Sequence, residues 1–268
     1  MQQESSTTPD RTVPDRAALT RAMVVEDGRA HLDRSWWSWA GPLGGLVAGL
    51  CLNAGTPSLG EGRVPRSLTV LFLEPAPEGP LELRSTLLRE GGASAVVAVE
   101  AVGAARATLV GGRSRGDSAL DTVRPPDVPG PQDCPDLDLP VEFVPFSRHL
   151  QLRSATEARP LSGGDRAELV AWARFVEDAP LDAAALAMLV DVMPPALYGA
   201  TANPVAVPTV ELTVSFTEAP VATGWVLLRI ATRTAAGGWC VDDSEVWDDR
   251  GRLLAQARQT RRVLGEWA

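Results

Sequence analysis

The sequence predicts an α+β fold of two similar halves, each an antiparallel sheet wrapped around one long buried helix. Three observations predict it. The chain repeats itself: Val64-Pro65-Arg66-Ser67-Leu68-Thr69-Val70-Leu71-Phe72-Leu73-Glu74 is echoed by Val207-Pro208-Thr209-Val210-Glu211-Leu212-Thr213-Val214-Ser215-Phe216-Thr217-Glu218. Leu68 and Leu212, Phe72 and Phe216, and Glu74 and Glu218 all keep an offset of 144 (212 − 68). Repeats of this length mark a duplicated domain, because solenoid units run to only ~20–50 residues. Each copy is preceded by an apolar helical segment and followed by β-like runs separated by turn residues.

Taken in order, residues 1–22 carry neither a basic start nor an apolar stretch, so they read as a disordered tail and not as a signal peptide. Arg29 to Leu32 suits a short strand. After Trp36-Trp37-Ser38-Trp39, the run Leu43-Gly44-Gly45-Leu46-Val47-Ala48-Gly49-Leu50-Cys51-Leu52-Asn53-Ala54-Gly55 is apolar on nearly every face, as a helix inside a fold must be. Gly55 and Pro57 stop it. Strands are expected at about 66–74, 80–89, 93–101 and 104–112, broken at Pro75–Pro80, Gly91-Gly92 and Gly103. The Pro- and Asp-rich segment within 113–145 reads as an extended linker. The second half repeats the plan, with strands near 147–153 and 168–177 and a helix at about 181–196. Four more strands are expected at 208–217, 225–234, 239–248 and 252–263, the last hairpin turning at Asp248-Asp249-Arg250-Gly251. A long helix wrapped by an antiparallel sheet is the hot-dog architecture. The expected division is a tail (1–22), an N-terminal hot-dog domain (23–118), a linker (119–145) and a C-terminal hot-dog domain (146–268).

Composition excludes several functions. A net charge of −9 argues against a nucleic-acid surface, and no run of 18 apolar residues offers a membrane span. All 25 basic residues are Arg, so any phosphate clamp must use guanidinium groups. Cys51, Cys134 and Cys240 share no close spacing, which suits reduced thiols in the cytoplasm and no metal site. No Gly-x-Gly-x-x-Gly loop occurs, and no cofactor is implied. Only His31 and His149 are available, and neither sequence context suggests a Cys or Ser partner. Trp36, Trp37 and Trp39 are expected to pack the entrance to the first domain.

Asp191 is the most informative single residue. It is the only ionisable group in Leu186-Ala187-Met188-Leu189-Val190-Asp191-Val192-Met193-Pro194-Pro195-Ala196-Leu197. A carboxylate buried among such neighbours is costly without partners and marks a functional candidate; the alternative is a cap on a helix end or turn. Thr209 is by itself an ordinary strand residue. Gln259 faces the helix if Arg258 and Thr260 face solvent, and then needs a polar partner, for which Asp191 is available.

Three segments resemble the acyl-CoA thioesterase II family and its thioesterase-like relatives, which carry two hot-dog domains in one chain. Gly44-Gly45-Leu46-Val47-Ala48-Gly49 is similar to the family's Gly-Gly at the start of the first buried helix. Phe72-Leu73-Glu74-Pro75 resembles its Phe-Leu-Arg-Pro, with Glu for Arg, and Leu254-Ala255-Gln256-Ala257-Arg258-Gln259 resembles its last strand. The resemblance implies hydrolysis of an acyl-CoA or acyl-carrier-protein thioester, with catalysis by Asp191 on the second helix, Thr209 on the next strand and Gln259. Many relatives place a His where this chain has Thr69. Gly44 and Gly45 are expected at the substrate, where helix-start N–H groups can hold the thioester oxygen, or else in tight helix–sheet packing. Arg66 is expected against a coenzyme A phosphate, or else at an ordinary surface. The first half has Arg66 where the second has Thr209, and residues 105–112 contain no Gln, so one active centre per chain is expected. A hydratase is disfavoured because no His follows Asp191. The alternative of another class is a scaffold that binds an acyl thioester or hydrophobic metabolite without cleaving it, repurposed in natural-product biosynthesis. Exposed sheet edges are compatible with a homo-oligomer.

Overall fold

The computed structural model describes residues 18–115, 120, 122–217 and 223–267. Residues 1–17 of the expected tail, the 118/119 boundary and Glu218 lie outside them. Residues 18–22 differ from the expected tail. They form helix α1 (Ala18–Ala22), which buries Leu19 and is capped by Glu177, whose carboxylate accepts from the N–H of Leu19 at 2.7 Å.

The first half continues with β1 (Arg29–Leu32), α2 (Gly44–Gly55), β2 (Val64–Phe72), β3 (Gly79–Glu90), β4 (Ser94–Ala101) and β5 (Ala105–Gly112). The second contributes β6 (Leu150–Ser154), β7 (Glu168–Phe175), α3 (Ala183–Leu189), β8 (Thr209–Phe216), β9 (Val226–Ala236), β10 (Trp239–Asp248) and β11 (Leu253–Arg262). Every expected strand is present, within a few residues.

The two expected sheets are one. Eleven strands run β1-β3-β4-β5-β2-β8-β11-β10-β9-β7-β6. Apart from β6 the order is a palindrome about the β2–β8 junction. That junction pairs Leu68 with Val214, Thr69 with Thr213 and Val70 with Leu212. Strand β2 thus meets its own repeat, β8, across a pseudo-twofold axis, and the Thr69 and Thr213 hydroxyls, 3.0 Å apart, hydrogen-bond on it. Two edges that would expose unpaired N–H and C=O groups satisfy each other, which explains why the halves fuse.

The second helix is also shorter than expected. Asp182 caps its start by accepting from the N–H of Ala185 at 2.9 Å, and the chain leaves the helix well before Pro194-Pro195. Helices α2 and α3 pack antiparallel in the core. A Cβ on Gly45 would come within 2.7 Å of the Met188 carbonyl, and one on Gly49 within 3.0 Å of the Ala184 carbonyl, so these glycines set how closely the helices approach. The linker is docked and not free. Trp172 donates its indole N–H to the Pro129 carbonyl at 2.8 Å, and Leu137 pairs its N–H with the Leu152 carbonyl. Trp36 and Trp37 are buried, whereas Trp39 is exposed and stacks on Phe143.

Candidate active site

The turn after α3 and the inner face of β11 bring three side chains together. Asp191 lies two residues beyond the end of α3 instead of on the helix, its N–H donating to the Met188 carbonyl at 3.0 Å. Its side chain is 10 % exposed. Alternation along β11 puts Ala257, Gln259 and Arg261 inside, with Gln259 fully buried. Gln259 Nε2 donates to Asp191 Oδ1 at 2.6 Å and to Thr209 Oγ1 at 3.3 Å. Thr209 opens β8, opposite Arg261 in the ladder.

The second carboxylate oxygen meets the other half of the molecule. Asp191 Oδ2 accepts the Gly45 N–H at 2.8 Å, at the first turn of α2, which has no side-chain cap of its own. An anion there satisfies an orphan donor and opposes the positive helix end. Asp191 thus caps a helix start, but that of α2 in the other half and not an end or turn of its own segment at Pro194-Pro195, and it keeps the Gln259 contact. The expected use of the Gly45 N–H for a substrate oxygen is not realised, because that donor is engaged. Leu46 and Val47 donate to the Leu43 carbonyl, which leaves the Gly44 N–H as the first-turn donor without an acceptor among the described residues. Phe72 borders that spot, its ring 3.2 Å from where a Gly44 Cβ would stand.

Arg66 is not brought to this cluster. It lies at the opposite end of β2 from Phe72, where it donates to Ser114 Oγ at 2.8 Å. The ladders also change its counterpart: Thr209 sits at the rung of Pro65, and Arg66 is a bulged residue.

Two residues escape the sequence reading. Arg261 donates from Nη2 to Gln259 Oε1 at 2.6 Å, and the same nitrogen lies 3.6 Å from Asp191 Oδ1. Asp242, buried on β10 directly opposite Gln259, stands 3.0 Å from Arg261 Nε. The alternation that put Gln259 inside put Arg261 there too, and that was the available signal. Burial pushes the Asp191 carboxyl above its ordinary pKa; Arg261, the Gln259 amide and the Gly45 N–H pull it back down, in that order. The cysteines offer no thiolate nucleophile, as burial pushes Cys51 up to about 12 and Cys240 to about 11.

Comparison with known proteins bears directly on this geometry. The model of the acyl-CoA thioesterase N-terminal domain matches residues 33–112, and that of the C-terminal domain matches residues 127–263. The chain belongs to the acyl-CoA thioesterase family. Among solved structures, this thioesterase is similar to a conserved protein of unknown function with a hot dog fold from Alicyclobacillus acidocaldarius. The two are 26 % identical with a TM-score of 0.84, over 93 % of this chain and 98 % of that one. It is also similar in fold to acyl-CoA thioesterase II TesB2 from Mycobacterium marinum, at 19 % identity and a TM-score of 0.74, covering 94 % and 99 % of the two chains. No curated protein matches the sequence. Among the described residues no helix is long and apolar enough to cross a membrane.

Proposed function

We propose that this thioesterase cleaves acyl-CoA at one centre per chain, with Asp191 as the base, Thr209 and Gln259 as its partners, and no covalent intermediate. The observation that carries the proposal is the pair of hydrogen bonds from Gln259 Nε2 to Asp191 and Thr209. Each carboxylate oxygen has two lone-pair sites. One site on Oδ2 is taken by Gly45, so a second can accept a hydrogen bond from water. Asp191 takes a proton as the water oxygen attacks the thioester carbonyl. The tetrahedral oxyanion forms near the Gly44 N–H, at the positive end of α2, and collapses by breaking the C–S bond. The thiolate leaves and recovers the proton from Asp191, giving free acid and thiol. Burial, by pushing the Asp191 carboxyl above its ordinary pKa, makes it a stronger base than an exposed aspartate.

The palindromic strand order and the α2–α3 packing support two hot-dog domains, 23–118 and 146–268, joined as a pseudo-dimer. Both cradle the same centre, the first giving Gly44, Gly45 and Phe72. The unpaired cysteines support a reducing, cytoplasmic setting. Acyl-carrier-protein thioesters share the reacting group and form the second substrate class to test.

The test is thiol release from a panel of acyl-CoAs, short to long and aromatic, by the native protein and by Asp191→Asn. A fall in kcat of ~10²–10⁴-fold is expected from loss of a general base. Saturable acyl-CoA binding without turnover in the native protein would instead establish the non-hydrolytic scaffold.

A further inference from the structure

We infer that Arg261, anchored by Asp242, is a positioning residue of the thioesterase site, fixing which way the Gln259 amide points and setting a positive charge beside Asp191. The inference rests on the catalytic reading above.

An amide side chain has nearly the same shape either way round, so its partners decide its orientation. Here the partners on one side donate only. The Arg261 guanidinium has no acceptor, so the 2.6 Å contact from Nη2 requires Oε1 to face it. Nε2 must then face Asp191 and Thr209. Asp191 alone could not hold that arrangement through a turnover. An ionised carboxylate demands the amide NH₂, but a carboxylic acid can donate to the amide oxygen just as well. A general base is protonated once per cycle, and at that moment only Arg261 still forbids the flip.

Arg261 is itself fixed from behind. Asp242 Oδ2 lies 3.0 Å from its Nε as an ion pair, although the Nε–H is not aligned for a hydrogen bond. Asp242 accepts from Thr232 Oγ1 at 2.7 Å and from the Ala196 N–H at 3.4 Å, and Arg261 Nη1 donates to the Val207 carbonyl at 3.4 Å. A role in stability alone does not explain the cluster. Buried ion pairs are poor stabilisers compared with apolar packing. The first half shows the apolar solution at the same rungs, with Leu109 for Gln259, Gly111 for Arg261 and Val97 for Asp242.

The charge has its own consequence. Asp191 is faced by Arg261 and Gln259 from β11 and by the Gly45 N–H from α2. Asp242 and Cys240 on β10, and Tyr198 from the segment 196–199, face Arg261 in turn. Of these, Arg261 does most to oppose the upward push of burial on Asp191.

The experiment is a carbon-13 titration of the Asp191 carboxyl, assigned by its loss in Asp191→Asn, in the native protein and in Arg261→Met and Arg261→Lys. An opposite charge at this range is worth ~1–3 pKa units. Arg261→Met should therefore raise the Asp191 midpoint by about one unit or more, and Arg261→Lys should restore most of it. The acid limb of kcat/KM should move by the same amount in Arg261→Met. At the pH plateau both variants should lose kcat, because an ammonium lacks the planar fork that orients the amide. If Arg261→Met does not fold, Arg261→Gln carries the same test. An unmoved Asp191 midpoint in a folded, charge-deleted variant overturns the inference. If the native protein releases no thiol, the functional reading fails instead, and the titration still decides what Arg261 does to Asp191.

Discussion

Along β11 the residues facing the helices are Ala257, Gln259 and Arg261; along β5, at the same rungs, they are Ala107, Leu109 and Gly111. On the neighbouring strands Asp242 stands where the first half has Val97, and both are fully buried. Space beside Gly111 is filled from outside the sheet by Leu59, whose methyl carbon is 2.6 Å from where a Gly111 Cβ would be. One half thus closes this corner with hydrocarbon and the other with an amide, a guanidinium and carboxylates. The backbone plan accepts either filling, so the polar one is not what the fold requires. Its presence in a single half teaches where the chemistry sits.

The sharpest way to break this contrast is Gln259→Leu, which gives β11 the residue β5 already has. It leaves Asp191 Oδ1, Thr209 and Arg261 each without the amide between them. If the polar corner is the active centre, kcat/KM should fall by ~10²–10³-fold, on the scale of removing one preorganised hydrogen-bond donor. Thermal stability should drop as well, because buried polar groups lose their partners. Thiol release measured alongside a melting curve reads both. Activity close to native would mean the two corners differ only in packing.

The same contrast shows what could be read before any coordinates. The repeat around Thr69 and Thr213 predicted two equivalent sheets and so the strand content, but not that those two threonines would meet on one axis and make the sheets continuous. Strand-to-strand pairing between distant segments leaves little mark on local patterns. Gln259 was legible because alternation assigns faces. Its neighbour by the same rule, Arg261, was passed over since a charged residue is expected outside. Asp242 was hidden for a different reason: in Val241-Asp242-Asp243 nothing local tells which carboxylate turns inward. Asp243 is the outer one, paired with Arg258 at 2.7 Å and Arg233 at 3.0 Å. Asp191 was found as a lone charge, yet its bond to Gly45 joins residues 146 positions apart and had no signal within its own segment.

Leu59→Ala probes the hydrocarbon corner. Leu59 is 1 % exposed and packs over Gly111, so truncation opens a cavity where no polar group can use the space. The expected cost is about 3 kcal/mol of stability, measured by denaturant unfolding. Below the melting transition kcat should be unchanged, since the cavity lies at the end of β2 opposite Phe72. A variant that lost turnover while folded would show that the two corners are coupled.

A smaller effect separates the two helix starts. Helix α3 is capped locally, by Asp182 accepting from Ala185 at 2.9 Å, whereas α2 has no side-chain cap and borrows Asp191 from the far half at 2.8 Å. Each carboxylate satisfies one orphan N–H, but Asp182 has no link to Gln259, and Asp191 does. Asp182→Ala should therefore cost about 1 kcal/mol, the usual value of an N-cap, with kcat intact. In Asp191→Asn the amide oxygen can still accept from Gly45, so the cap survives, and the cost comes from the amide NH₂ that then faces Gln259 Nε2. Its pH course should differ too. With the Asp191 pKa raised on folding, the folded state binds a proton more readily than the unfolded chain. The native carboxylate's contribution to stability is then fully present below the unfolded pKa and is lost as pH rises through the folded one. The asparagine variant, which binds no proton there, should gain on the native protein over that same rise. Melting curves for the three proteins across this pH range resolve the difference: Asp182→Ala should track the native protein at a constant distance, and Asp191→Asn should close on it or cross it as pH increases.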